Sequence, residues 1–375
     1  MFPCSHGQNA SATLREPDPL TPLPTMPRIA IIPGDGIGPE VIHEAVRVLE
    51  CIADIHSLDI RLREFDMGAA RYLREGVTIT DDEFRDISTE YDAILLGALG
   101  DPRVPDNVHA RDILLGFRFR LDLFVNYRPC VPLDPSLCAL KHVTGPIHLE
   151  IFRENTEGLY VNAGETKNEG TPDEVAVQED LNTRKGVERI LRAAFEHAVS
   201  RGGGPVTMVD KANAMPIAGS LWRRTFEDVA ADYPGIERNT MYVDAMAMDL
   251  VRRPERYSVI VTCNLFGDIL SDLAAELTGG LGLAPSANVH PGRHALFEPV
   301  HGSAPDIAGR GVANPMGAIR CVALLLDHFG WGEQAAAVES TVQAAFRDGA
   351  ITPDMGGTMS TSEVGDRICE SLVAR

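Results

Sequence analysis

Ser258-Val259-Ile260-Val261-Thr262-Cys263-Asn264-Leu265-Phe266-Gly267-Asp268-Ile269-Leu270-Ser271-Asp272 sets an apolar run directly ahead of two spaced carboxylates. Its first five residues are short and β-branched, which predicts a buried strand delivering the chain to a turn at Asn264 and Gly267. Beyond the turn, Asp268 and Asp272 stand four residues apart, and on a helix residues at that spacing share a face. Two carboxylates close together at the carboxyl end of a strand repel one another unless a cation sits between them. All-oxygen ligation suits a hard ion such as Mg²⁺ or Mn²⁺. Taken alone, the pair also fits a solvated acidic helix face.

The 375 residues are enough for two domains or one large one. A hydrophobic content of 44% and a mean hydropathy of −0.05 describe an ordinary globule. The formal charge of −20 repels a phosphate backbone and no basic stretch offsets it, so nucleic acid is excluded as a partner. Any anionic substrate must be met by local arginines. Seven scattered cysteines, with no Cys-x-x-Cys, fit a reducing cytoplasm and argue against a disulfide or zinc framework. No apolar run approaches the ~18 residues of a membrane span. Residues 1–27 hold six prolines and little apolar periodicity, predicting a disordered tail that is not a signal peptide, with Met26 as the expected natural start.

Outward from the opening stretch, short apolar runs alternate with helical patterns, which predicts an α/β fold. Arg28–Ile32 is a strand, and Pro33-Gly34-Asp35-Gly36-Ile37-Gly38-Pro39-Glu40 turns it into a helix over about 41–52. The glycine spacing is G-x-G-x-G, not the G-x-G-x-x-G of a Rossmann domain. Helices follow at about 69–74 and 81–87, then the buried strand Ala93–Leu96. Arg111, Arg118, Arg120 and Arg128, with Arg153 further on, form a local density of arginine in an acidic protein. Converging guanidinium groups hold di- or tricarboxylates bidentately, although any one of them could equally pair with a surface acid. The polar segment 164–175 reads as an exposed arm, and 184–200 as a long amphipathic helix. Strand 206–209 ends at Asp210-Lys211, where open α/β sheets place their chemistry, and Met241–Asp244 repeats the pattern of a short strand ending in an acid. Residues 278–283 read as a flexible connection, 296–306 as a loop too polar to be core, and 315–328 as a buried helix.

In order, the motifs PGDGIGPE, LDLFVNYRP, RENTEGLY, NLFGDILSD and EPVHGSAPDIAGRGVANP resemble those of the β-decarboxylating dehydrogenases of (2R)-hydroxy acids, the isocitrate/isopropylmalate dehydrogenase family, from about Arg28 to Phe329. The resemblance implies that family's two-domain α/β architecture, with residues 28–123 plus 279–375 as a cofactor-side domain and 124–278 as a substrate, metal and dimerisation domain. It implies NAD and Mg²⁺ or Mn²⁺ as cofactors and a homodimer with shared active sites. Arg118, Arg128 and Arg153 match the arginines that clamp malate carboxylates. Asp244, Asp268 and Asp272 match the metal-binding acids, with Asp244 and the catalytic Lys211 supplied by the second protomer. Tyr160 matches the residue that protonates the enol. Glu298, His301, Gly302, Ser303 and Asp306 match the cofactor loop, and Asn314 the adenine contact. An acid at Asp306 can accept from ribose hydroxyls and would repel a 2′-phosphate, which favours NAD over NADP.

Leu114 and Leu115 match the leucines that pack an isopropyl group, so the expected reaction is oxidative decarboxylation of 3-isopropylmalate to 4-methyl-2-oxopentanoate and CO₂. Arg111 departs from the glutamate usual there, and NEGTPDEVAVQE with GLAPSAN resembles D-malate/tartrate dehydrogenases. Oxidation of D-malate or tartrate, or of a malate with an acidic or phosphonate C3 substituent welcomed by Arg111, is therefore the alternative. A binding paralogue without catalysis would be expected to have lost Lys211, Tyr160 or the metal acids, and all are present.

Overall fold

The computed structural model describes residues 26–143 and 145–374. The proline-rich segment expected as a tail lies outside them except for Met26 and Pro27.

Among the described residues, twelve strands run in chain order: β1 (Arg28–Ile32), β2 (Arg61–Glu64), β3 (Ala93–Leu96), β4 (Val125–Cys130), β5 (Leu149–Glu154), β6 (Gly164–Lys167), β7 (Val175–Gln178), β8 (Val206–Asp210), β9 (Arg238–Tyr242), β10 (Val259–Thr262), β11 (Pro285–His290) and β12 (His294–Pro299). Ten of them form one mixed sheet in the order β2-β1-β3-β12-β11-β4-β5-β10-β8-β9. The first five strands of that order come from residues 28–123 and 279–375, the other five from 124–278. Pairing is parallel at both ends and antiparallel only along β12-β11-β4-β5, which makes a seam between two parallel half-sheets.

Both faces are covered, as parallel sheets require. Along β1, Ile29 and Ile31 pack against the helices 38–56, 316–328 and 361–373, while Ala30 and Ile32 pack on the opposite side with Phe117 and Leu121. Along β10, Val259 and Val261 meet helix 184–200, and Ile260 meets Leu270 and Ala274. This alternation sets the two faces of the seam as well. Tyr127 packs with the first of these layers, while Asn126 and Arg128, one residue to either side, point to the other face, where the candidate site lies.

Four local expectations need correction. Helix 264–277 starts at Asn264 directly after Cys263, so Gly267 lies inside it and not in a turn. Strand β9 ends at Tyr242, which puts Asp244 in the first turn of helix 243–252. Leu296–Pro299 belong to buried β12 and not to a loop; Leu296 and Phe297 are sealed between β3 and β11. The connection 278–283 closes in a 3-10 turn at Leu281–Leu283. The arm at 164–175 is part of an exposed antiparallel hairpin of β6 and β7.

Candidate active site

Strand β10 is apolar on both faces and helix 264–277 springs from its end, so Asn264, Asp268 and Asp272 rise in a row along one flank of the seam. Arg153, on β5, is 1% exposed and lies beneath that row. Its Nη1 donates to Asp268 Oδ1 at 2.5 Å, and its Nε and Nη2 donate to Asn264 Oδ1 at 3.0 and 2.6 Å. Gly267 permits this approach, because a Cβ there would come within 2.5 Å of Arg153 Cγ. Arg128, on β4, donates to Ser271 Oγ at 2.6 Å and Asp272 Oδ1 at 3.1 Å, and reaches Asp268 at 3.4 Å. Tyr160 Oη donates to Asp268 Oδ2 at 2.8 Å.

Within one chain the acidic pair is therefore met by guanidinium groups. Burial pushes the Asp268 carboxyl up, but Arg153 and Arg128 outweigh it and hold the group below its ordinary value. Asp272 goes the other way: burial lifts it, Arg128 opposes, and the neighbouring Asp268 charge adds to the rise. Burial, with Arg128 and Arg118 nearby, brings Arg153 down to about 10. Burial and the Asp268 charge raise Tyr160, so its hydroxyl stays protonated at neutral pH.

Arg118, at the end of the short helix 116–120, is 6% exposed and donates through Nη2 to Glu298 Oε1 at 2.9 Å. A cavity of about 300 Å³ opens beside this pair. Arg111, Leu114, Leu115, Arg118, Arg128, Glu298, His301 and Gly302, eight of the residues singled out from the sequence, line it. The loops after β3 and β12 close its sides. A second cavity of about 450 Å³ shares Arg111 and Leu115 and reaches Tyr160. Arg111 itself is over half exposed and only 3.9 Å from Asp112 through Nε.

Ser303 sits against the glycine loop after β1, where its carbonyl accepts from Ile37 N at 2.8 Å. A Cβ on Gly36, which has φ +58°, would strike that carbonyl at 1.9 Å, so these glycines serve backbone packing between two loops of the site. Asp306 is exposed in a turn. Asn314 is engaged by Asp354 at 3.1 Å and by Met316 N at 3.0 Å, and does not line the 300 Å³ cavity.

Lys211, just past β8, pairs with Asp244 at 2.8 Å, and this pair is separate from the arginine cluster. Among the described residues no third His, Cys, Asp or Glu joins Asp268 and Asp272 in a metal-holding group. The two carboxylates still suit a hard divalent ion as part of a ligand set: both are oxygen donors on adjacent turns, and their mutual repulsion is what a cation would relieve.

Sequence reasoning missed a buried pair beneath the glycine loop. His109 is fully buried, and its Nε2 meets Asp35 Oδ2 at 2.8 Å; the same carboxylate accepts from Ala69 N at 2.6 Å and Gly100 N at 2.8 Å. Asp35 thus ties the loops after β1 and β3 to the segment that carries Leu114 and Leu115. Its place between two positive-φ glycines was the available signal.

The isocitrate/isopropylmalate dehydrogenase family model matches residues 28–368. A 3-isopropylmalate dehydrogenase of Corynebacterium jeikeium is 47% identical over 92% of this chain and 99% of its own length. Among solved structures, an isocitrate dehydrogenase from Methylococcus capsulatus superposes with a TM-score of 0.84 at 36% identity, covering 92% of this chain and 99% of that one. A β-decarboxylating dehydrogenase from Thermococcus kodakarensis gives 0.76 at 38% identity, covering 93% and 97%. With the sheet order, the arginine cluster and these likenesses in agreement along almost the whole chain, the protein belongs to the isocitrate/isopropylmalate dehydrogenase family.

Proposed function

We propose that the protein oxidatively decarboxylates 3-isopropylmalate with NAD and a divalent ion, in a cleft between a domain built of 28–123 plus 279–375 and one built of 124–278. The observation that carries the reading is the charge balance around the cavity. Arg118, Arg128 and Arg153 are matched one for one by Glu298, Asp272 and Asp268, which leaves the cluster near neutral. A divalent cation beside the acids then brings two positive charges, which a malate-type dianion neutralises.

Asp268 and Asp272 would hold the ion, with Asp244 from a second copy of the chain; Glu298, His301, Gly302, Ser303, Asp306 and Asn314 would serve NAD. The buried His301 Nε2, which has no hydrogen-bond partner among the described residues, and the open cavity beside it leave room for such contacts. When bound, the ion supplies Lewis-acid stabilisation of developing oxyanions, and NAD accepts the hydride. The three arginines hold the two carboxylates, and Leu114 with Leu115 packs the C3 substituent. Lys211 of a second copy takes the C2 hydroxyl proton as the hydride leaves C2. After CO₂ departs from the β-keto acid, Tyr160, kept protonated by its raised pKa, gives its proton to C3 of the enolate left behind.

Arg111 supports a second reading, a malate with an acidic C3 group, because its guanidinium is loosely paired and faces both cavities. Initial rates of NADH formation with Mn²⁺ across 3-isopropylmalate, D-malate, tartrate, isocitrate and a phosphonomethyl malate separate the two. A kcat/KM for isopropylmalate at least ~100-fold above D-malate is expected for an apolar Leu114/Leu115 pocket. Preference for an acidic substituent would transfer the assignment to Arg111.

A further inference from the structure

Three buried asparagines are bonded together on the site face of the seam. Asn126, on β4, donates through Nδ2 to Asn288 Oδ1 at 3.0 Å and to Ser286 Oγ at 2.9 Å. Asn155, just past β5, donates to the same Asn288 oxygen at 2.9 Å and to the Leu123 carbonyl at 3.0 Å. With both donors on Oδ1, the Asn288 amide can face only one way. Its Nδ2 then reaches Glu298 Oε1 at 2.9 Å, the same oxygen that accepts from Arg118 Nη2 at 2.9 Å. Arg118 is thus gripped by a carboxylate that Asn288 has already oriented.

Packing does not account for the triad. Asn126 and Asn288 are 0% and Asn155 is 1% exposed, and the Oδ1 atoms of Asn126 and Asn155 have no hydrogen-bond partner among the described residues. Apolar side chains of like volume would avoid that cost. The network also joins strands of both half-sheets, since Asn126 and Asn155 belong to residues 124–278 whereas Asn288 and Glu298 do not.

We propose that Asn288 is a positioning residue that fixes the Glu298 carboxylate and, through it, the Arg118 guanidinium, linking the seam between the half-sheets to the substrate clamp. The proposal rests on the reading of Arg118 as a carboxylate ligand.

The test compares wild type, Asn288→Asp and the near-isosteric Asn288→Leu by melting temperature, by kcat and KM, and by crystal structure. In Asn288→Asp at neutral pH, one carboxylate faces another. Its KM for the hydroxy acid should rise about tenfold or more, by a larger factor than kcat falls. At lower pH the introduced acid protonates and can donate to Glu298, so the gap to wild type should narrow. A lowered melting temperature with an unchanged KM would overturn the proposal and leave a structural role. Should Asn288→Asp not fold, Asn288→Leu decides: an Arg118 Nη2 to Glu298 Oε1 separation beyond about 3.5 Å supports positioning, and an intact bond overturns it. Were wild type to turn over no hydroxy acid, the functional reading would fail, and that separation alone would judge the positioning.

Discussion

Asp268 and Asp272 are one helical turn apart yet titrate in opposite directions, and the difference predicts how each affects stability. Asp268 is held below its ordinary value of 3.8, so it contributes stability above that pH, which is lost as pH falls toward the lowered value. Asp272 is raised above 3.8, so the folded state holds its proton more tightly than the unfolded chain does. Its contribution becomes a penalty as pH climbs through the raised value, and the penalty persists at neutral pH. Without divalent ions at neutral pH, Asp272→Asn should therefore melt at or above wild type and Asp268→Asn below it. Calorimetry checks both, and a lower melting temperature for Asp272→Asn would mean that its contact with Arg128 outweighs its burial. Adding Mn²⁺ at about 100 times its Kd should stabilise wild type by about 2.7 kcal/mol, and Asp272→Asn by much less. At this scale the sequence was informative about residue type and spacing, since the i,i+4 acids needed only a helix to become neighbours. It was silent about Arg128 and Arg153 as counter-charges, which come from strands 140 and 115 residues distant.

Helix 264–277 was legible as an element, but the role of Gly267 was not. Glycine normally ends or weakens a helix, so a turn was the economical reading; here its missing side chain makes room for Arg153. The two effects can be weighed. Alanine gains about 1 kcal/mol of helix propensity over glycine, whereas forcing a methyl group into a packed site costs about 1–3 kcal/mol. Gly267→Ala should thus be net destabilised and push Arg153 away from Asn264 and Asp268. A substrate KM raised by roughly tenfold, read from initial rates, is the expected result; unchanged kinetics with a higher melting temperature would show that Arg153 yields freely. Strand β12 went unread for a related reason. Leu296-Phe297 is too short an apolar run to announce a strand among polar neighbours, and pairing with β3 and β11 decides it. The hairpin at 164–178 left no core signal because its strands are exposed throughout.

At the scale of the whole molecule, alternating strands and helices conveyed α/β, but no local pattern says that β11 and β4 pair antiparallel and join two half-sheets into one. The site shows the same dependence on distant partners. Asp268, Arg128, Arg153 and Tyr160 are assembled by one chain, while Lys211 and Asp244 face each other elsewhere on it. If the second copy supplies Lys211 and Asp244, as proposed, two inactive variants should complement each other. In a dimer of one Lys211→Met chain and one Asp268→Asn chain, the first chain's acids meet the second chain's lysine in one intact site, and the other site carries both lesions. Random re-pairing of an equal mixture makes half of the dimers mixed, with one working site in each, so about one quarter of wild-type activity should return. Each variant alone should be slower by about 10²–10⁴-fold or more. Recovery after unfolding and refolding the two together, with none when separately refolded samples are simply mixed and assayed at once, would establish shared sites. No recovery, with mixed dimers verified by mass, would mean that Lys211 acts within its own chain.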